Sequence, residues 1–225
     1  MSFIVGIDGP AGSGKGTVTK KVANELGLIN IDTGSTYRCV ALEVINQGVK
    51  LEEKDKIIEI AKNIKIDIKP SKTGDKVFLN GKDVTLDIRS KEVTSIVSPV
   101  SSIKEVRYIM VDLQRKLSEG KNVIMEGRDI CTYVFPNANV KIYLDATIEE
   151  RAKRRFKENK EKNINMTYEE VYENIKKRDE NDKNKEVGAL KLAEDSIIID
   201  TTNLTIDEVV EKIIQIIKKN VKDNN

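Results

Sequence analysis

The sequence predicts an α/β protein of three layers, in which helices cover both faces of a central parallel sheet of five strands. Short apolar runs rich in β-branched residues alternate with segments of helical periodicity, which is typical of a parallel sheet buried on both faces. A glycine-rich loop joins the first strand to the first helix. Residues 64–98 alternate apolar and polar positions instead, and they predict a small antiparallel insertion.

The glycine loop predicts a phosphate-binding P-loop. The apolar run Phe3–Ile7 precedes GPAGSGKGT at 9–17, and Val18, Val22 and Leu26 then follow at helical spacing. Glycines let successive N–H groups turn toward an anion, and the helix N-terminus and the lysine add positive charge. The alternative is a flexible Gly/Ser turn. We expect the whole loop to contact nucleotide phosphates, through Gly9, Pro10, Ala11, Gly12, Ser13, Gly14, Lys15, Gly16 and Thr17.

The loop departs from the common motif after its lysine. Ser or Thr usually follows and binds Mg²⁺, whereas Gly16 follows here and Thr17 comes one step later, a rotation of about 100°. Thr17 then either binds a phosphate or reaches the metal through water, which suits an ion that dehydrates reluctantly. We therefore predict a Mg²⁺ site at Thr17 and Asp32, in part through water.

The other elements can be placed in order. A strand at 28–31 is followed by helices at 35–47 and 53–62. The insertion contains strands at 64–68 and 76–79, a turn at Pro70, Ser71 and Gly74, and an Asn80-Gly81 hairpin with Asp83-Val84 pairing beyond it. A short helix at 91–96 leads to Ser98-Pro99. The later elements are a helix at 100–119, strands at 122–126, 140–145 and 196–200, and a final helix from Ile206. We expect a core of residues 1–63 and 99–225, with a helical lid at 151–185.

Composition excludes several classes of function. The chain has 225 residues, a net charge of +2, two cysteines and no histidine. The absence of histidine excludes Ser-His-Asp and Cys-His catalysis and any His-ligated metal, but it leaves phosphoryl transfer possible. The low net charge gives no reason to expect a nucleic-acid partner, and we expect neither a leader nor a membrane span, because the sequence has no long apolar run. We expect a cytoplasmic monomer with no membrane partner.

Arginines from separate elements are expected at the rim that carries the P-loop, because ligands bind at the carboxyl ends of parallel strands. A single surface arginine is usually solvated or in a weak ion pair. Several that converge suit a site that holds two phosphorylated substrates and their transition state. The candidates are Arg38, Arg107, Arg128, Arg151, Arg154, Arg155 and Arg178.

Seven segments in order along nearly the whole chain carry a family resemblance: IDGPAGSGKGT (7–17), DTGSTYR (32–38), VSPVSSIKEVR (97–107), EGRDICTYVFP (126–136), KIYLDA (141–146), ERAKRR (150–155) and KKRDENDKNK (176–185). In them the sequence resembles the bacterial-type cytidylate kinases, which are nucleoside monophosphate kinases. Three features depart from the usual pattern: Cys131 in place of glycine, Lys185 in place of arginine, and Ser35-Thr36 in place of a small apolar pair.

The resemblance implies a phosphotransferase that uses ATP with Mg²⁺ and acts on CMP or dCMP. It implies that the insertion binds CMP, that the glycine loop and Arg154 bind ATP, and that Lys15, Arg128, Arg151 and Arg155 stabilise the transferred phosphoryl group. The implied acceptor site consists of Thr33 and Arg38 on the monophosphate side, Arg128 and Lys185 at its phosphate, Ser98, Arg107 and Asp129 at cytosine, and Arg178 and Asp182 at the sugar.

Two rival functions remain on the sequence alone. One is another small-molecule P-loop kinase, acting on UMP, AMP or a shikimate-like substrate. The other is an RNA-linked P-loop ATPase that uses the basic segment 151–185, although this segment interleaves acidic residues and has few aromatic residues for base stacking.

Overall fold

A computed structural model describes residues 2–69, 71, 75–161 and 163–223. Its strands are β1 (Ile4–Asp8), β2 (Ile29–Asp32), β3 (Ile66–Lys69), β4 (Lys76–Leu79), β5 (Lys82–Asp83), β6 (Val123–Gly127), β7 (Val140–Asp145) and β8 (Ile197–Asp200). Its helices are α1 (Lys15–Leu26), α2 (Thr33–Asn46), α3 (Lys54–Asn63), α4 (Lys91–Ser102), α5 (Lys104–Ser118), α6 (Ile148–Glu161), α7 (Tyr168–Lys183) and α8 (Ile206–Asp223).

The central sheet has the strand order β2-β6-β1-β7-β8, and each of these pairs is parallel. The predicted parallel sheet of five strands is therefore confirmed. The register aligns Asp8 with Gly127 and Asp32 with Glu126, so the ends of β1, β2 and β6 meet at one edge. The P-loop leaves β1 at this same edge.

Helices cover both faces of this sheet. On one face Ile7 and Ile142 pack with Val22 of α1 and Ile213 of α8. On the other face Met125 packs with Val111 of α5 and with a single helical turn at Ile130–Val134. Apolar burial on both faces explains why these strands are continuously apolar in sequence.

The insertion forms a separate antiparallel sheet, β3-β4-β5. Asn80 (φ 51°) and Gly81 (φ 85°) make the predicted hairpin turn, with both backbones in the left-handed region that a type I′ turn requires. Pairing beyond the turn involves Lys82 and Asp83, one residue earlier than predicted. Pro70 and Gly74 of the predicted turn lie outside the described residues.

The helix at the end of the insertion is longer than predicted, because α4 runs through Pro99 to Ser102. Proline removes one backbone donor from the helix. The helix nevertheless continues, and the carbonyl of Ser98 accepts hydrogen bonds from the hydroxyls of Ser101 (3.0 Å) and Ser102 (2.9 Å). The break falls instead at Ile103, whose backbone is extended, and α5 begins at the next residue. The predicted domain boundary at residues 98 and 99 therefore lies inside a helix.

The predicted lid region consists of α6 and α7, which pack through their own small apolar cluster around Ala152, Val171 and Ile175. A capping box begins α7, in which Thr167 and Glu170 exchange hydrogen bonds. No helix in the described ranges has the length and apolar character needed to span a membrane.

Candidate functional site

The P-loop is shaped by close backbone contacts. A Cβ at Gly9 would lie 2.0 Å from the carbonyl oxygen of Leu144, so only glycine fits there. The Lys15 ammonium group turns back into the loop and donates to the carbonyls of Gly9 (2.7 Å) and Pro10 (2.8 Å) and to the Ser13 hydroxyl (3.2 Å). Burial, followed by the charge of Arg128, lowers the pKa of Lys15. A phosphate among these groups would replace the carbonyls as a stronger partner.

A buried carboxylate lies beside the first turn of α1. Glu126, at the end of β6, accepts a hydrogen bond from Thr19 (3.3 Å), and its Oε1 lies 3.1 Å from where a Cβ at Gly16 would be. Burial, followed by the nearby Asp32 carboxylate, raises the pKa of Glu126 to about 7. The two carboxylates therefore repel each other at the edge of the P-loop, and a cation there would relieve that repulsion.

Predicted metal ligands lie on either side of this edge. Thr17 is exposed on α1, and Asp32 is half-buried with an ion pair to Arg89 at 3.5 Å. The part of the chain that the structure describes has no group of three or more His, Cys, Asp or Glu side chains able to enclose a metal. This donor set fits Mg²⁺, which usually keeps several waters and takes only one or two carboxylates together with substrate phosphates.

Four arginines predicted for the site lie near one another. Burial lowers the pKa of Arg38, and the charges of Arg89, Arg155 and Arg128 lower it further. Burial, followed by the charge of Arg128, lowers the pKa of Arg178 in the same way. Arg38 also donates to the Ile88 carbonyl (3.0 Å) and to Thr94 (2.9 Å), which joins α2 to the helical part of the insertion. Cations that crowd together in this way form a site for an anion.

Asp182 partly balances this cluster. Its carboxylate accepts from Arg128 (2.8 Å) and Lys185 (2.9 Å), with Arg178 at 3.9 Å. Although burial favours the neutral acid, Arg128 and Lys185 hold the pKa of Asp182 far below its usual range. Thr33, also predicted for this side, donates to the Glu126 carbonyl at 2.7 Å and fixes the start of α2 against β6.

The residues predicted to read the base form a buried ion pair. Arg107 donates to Asp129 at 2.5 Å, and the two residues are only 3% and 4% exposed. The guanidinium also lies over the Tyr37 ring, 5.2 Å from its centre, and donates to the Ser101 carbonyl at 3.3 Å. Ser98, also predicted at the base, is half-buried on α4, and among the described residues its hydroxyl has no hydrogen-bond partner. The serine that contacts Arg107 is Ser101, through its carbonyl.

The three lid arginines have different surroundings. Arg151 is buried and contacts the P-loop directly, donating to the Ala11 carbonyl at 3.0 Å. Arg154 donates to the Thr201 carbonyl (2.6 Å), close to the end of β8. Arg155 pairs with Glu158 at 2.8 Å and is half-buried, with 41% of its side chain exposed, so it is the most accessible of the three to a ligand.

Sequence reasoning gave no role to Asp8, Glu126, Asp179 or Gly188. Asp8 accepts from the backbone N–H groups of Ile130 and Cys131, both at 2.8 Å, and burial raises its pKa to about 6. Gly188 (φ +65°) lies so close to the Arg107–Asp129 pair that a Cβ would overlap both side chains. Only the position of Asp8 and Glu126 at strand ends was a signal in the sequence.

The departure at Cys131 causes no backbone strain, because Cys131 does not have a positive φ angle. Its thiol is buried and lies 2.8 Å from where a Cβ at Gly6 would be. Cysteine is therefore accommodated here because the neighbouring strand carries glycine.

The parallel sheet, the glycine loop with its buried lysine and the arginine cluster at the carboxyl edge define a P-loop kinase. The family model described as cytidylate kinase matches residues 5–219, and the chain belongs to this family.

Curated relatives extend over nearly the full chain. A cytidylate kinase of Caldanaerobacter subterraneus is 50% identical, with 99% of this chain and 97% of the relative covered. One from Fusobacterium nucleatum is 46% identical, with coverage of 97% and 98%. Among solved structures, an uncharacterized protein from Eubacterium ventriosum matches with a TM-score of 0.54 at 12% identity, covering 95% of this chain and 97% of its own, and supports the fold alone.

Proposed function

We propose that the protein transfers the γ-phosphate of ATP to CMP or dCMP and yields ADP with CDP or dCDP. The observation that carries this proposal is the buried Arg107–Asp129 pair beside the arginine cluster, on the rim that holds the P-loop. Such a pair suits cytosine, which offers an amino donor at N4 together with ring acceptors. Uracil would present a carbonyl to Asp129, and both acceptors would stay unpaired.

The residue roles follow from this chemistry. The loop from Gly9 to Thr17 binds the ATP phosphates, and Lys15 leaves its carbonyl partners to contact them. Arg128 and Lys185 bind the acceptor phosphate, Arg38 and Thr33 position it, and Arg178 and Asp182 hold the sugar. Arg155 closes over the transferred group, with Arg151 and Arg154 behind it.

The acceptor phosphate attacks in line and needs no general base, because it is already ionised at neutral pH. Positioning and charge stabilisation supply the catalysis, and one such arginine is worth about 10³–10⁵ in rate in related phosphoryl transfers. Asp32, Glu126 and Thr17 would hold Mg²⁺, in part through water, and the bound ion would supply positive charge that neutralises the phosphates. Residues 64–98 form the acceptor-binding insertion, and we expect a cytoplasmic monomer.

The decisive experiment measures ADP release with CMP, dCMP, UMP, AMP and shikimate in turn, with Mg²⁺ and ATP present. We expect rapid release with CMP or dCMP and a kcat/KM at least 100-fold lower with UMP. Preferred turnover of AMP or shikimate would contradict the proposal. ATPase activity that RNA stimulates and CMP does not would contradict it as well.

A further inference from the structure

Helix α7 lies between the two halves of the site. Asp179 and Asp182 are three residues apart, so they share one helical face, and they are only 8% and 4% exposed. Asp182 contacts Arg128 and Lys185 on the acceptor side. Asp179 contacts Arg151, on the donor side.

The contact of Asp179 leads directly to the P-loop. Arg151 Nη1 donates to Asp179 Oδ2 at 2.6 Å and to the Ala11 carbonyl at 3.0 Å. Its Nε donates to the Ala146 carbonyl at 3.0 Å, just beyond β7. A Cβ at Gly12 would lie 3.1 Å from the Arg151 Cβ, so the arginine packs tightly against the loop. One guanidinium thus joins α7, the sheet edge and the donor loop.

The second oxygen of Asp179 has no partner. Its Oδ1 is buried and receives no hydrogen bond from any described residue. A buried oxygen without a hydrogen bond is uncommon in a native structure and calls for an explanation, such as strain, a catalytic role or a bound water or ion. The charge of Asp179 acts on Arg128, a phosphate-binding residue in the proposed function. Asp179 is therefore close enough to Arg128 for the two charges to interact.

We infer that Asp179 is a positioning residue that couples the acceptor-binding helix to the donor loop through Arg151. The inference rests on the proposed function, since it needs two substrates. Acceptor binding engages Arg178 and Asp182 and moves α7; Asp179 moves with the helix, and Arg151 carries that shift to Ala11 and Gly12. Each substrate then raises the affinity for the other by the same factor, because coupling between sites is reciprocal.

The test is the coupling factor, the ratio of dissociation constants for Mg²⁺–AMP-PNP without and with saturating CMP, measured by calorimetry. Coupling of this kind commonly amounts to about 5–150-fold. In Asp179→Ala we expect the factor to fall below about 2, while CMP alone still binds within about 3-fold of the native protein. The matched control is Glu180→Gln, an exposed neighbour on α7, which should keep the native factor.

A merely structural role would lower the melting temperature or the active fraction, but it would leave this ratio unchanged. If Asp179→Ala does not fold, the coupling factor is measured in Asp179→Asn. The amide oxygen still accepts a hydrogen bond from Arg151, but the negative charge that strengthens this bond is lost. A fall of at least 3-fold supports the inference, and a native factor in Asp179→Asn overturns it.

A native protein with a factor near 1 also overturns the inference and leaves the proposed function intact. Failure of the native protein to bind or phosphorylate CMP would instead reject the proposed function, so the two failures are distinct.

Discussion

Replacing Asp129 by asparagine tests how the proposed base site selects cytosine. The side chain is nearly isosteric, and one amide oxygen can still accept from Arg107, which lies 2.5 Å away in the native protein. The other carboxylate oxygen becomes an NH₂ group. That change removes the acceptor proposed for the cytosine amino group and creates a donor for the uracil carbonyl.

The magnitude follows from the burial of the pair. A hydrogen bond to a charged group contributes about 1.5–3 kcal/mol, so kcat/KM for CMP should fall by roughly 10–150-fold. UMP should gain by a comparable factor, and the CMP-to-UMP preference should fall by about 10²–10⁴. Breaking a buried ion pair outright costs about 3–5 kcal/mol. The amide oxygen, the Tyr37 ring and the Ser101 carbonyl remain as partners of Arg107, so we expect a stability loss of roughly 1–3 kcal/mol.

The assay is ADP release at limiting CMP and limiting UMP, with the melting temperature measured in parallel. Glu186→Gln is the control, because Glu186 is exposed and its pair with Lys104 (2.6 Å) is at the surface. An exposed pair contributes at most about 1 kcal/mol, and this variant should keep the native preference. A folded Asp129→Asn protein with the native CMP-to-UMP preference would refute the assignment of Asp129 to the base.

Three further predictions concern the phosphate sites and the core. Arg128→Ala should lower kcat/KM for CMP by at least about 10³-fold, measured by initial rates, and leave the affinity for AMP-PNP within about 3-fold, measured by calorimetry. An unchanged kcat/KM would show that Arg128 does not bind the acceptor phosphate. Asp8 should destabilise the native protein by about 3 kcal/mol in total as pH rises from 3 to 7, because burial raises its pKa from 3.8 to about 6 and the folded state keeps the proton to a higher pH than the unfolded state. Urea unfolding at several pH values should lack this component in Asp8→Asn, and identical profiles for the two proteins would contradict the prediction. Gly9→Ala should abolish AMP-PNP binding, because its Cβ would overlap the Leu144 carbonyl. Gly14→Ala has no atom within 4 Å of its Cβ, so its left-handed backbone (φ +91°) should lower the free energy of unfolding by only about 1–2 kcal/mol. Equal effects of the two substitutions on thermal unfolding and on binding would be inconsistent with this geometry.

Local sequence patterns predicted most of the fold. The P-loop, the parallel sheet and the Asn80-Gly81 hairpin each depend on short stretches with strong conformational preferences, and all three are present. The helix end predicted at Pro99 was wrong, because the effect of proline on a helix is local. Packing stabilises α4 instead, since Val93 and Val100 are both buried in the cluster shared with α2. The helix is therefore stable despite one missing backbone donor.

Partners distant in sequence were harder to predict. The arginines and Asp129 could be named as candidates, because charged groups at strand ends are unusual in a buried sheet. Nothing local showed that Asp179 faces Arg151, 28 residues away, or that Gly188 covers the Arg107–Asp129 pair. These contacts depend on how the lid helices fold back over the rim, and such packing leaves no periodic pattern in the sequence.

The unusual end of the P-loop has a physical explanation in the sheet. The position after Lys15 faces the Glu126 carboxylate, whose Oε1 would lie 3.1 Å from a Cβ at residue 16. Thr19, one turn further along α1, donates to the same oxygen at 3.3 Å. A serine at 16 would need this buried carboxylate to shift by a few tenths of an ångström, so its Cβ would crowd Glu126. Glycine at 16 therefore leaves the Glu126 carboxylate room at the edge of the P-loop, beside the lysine.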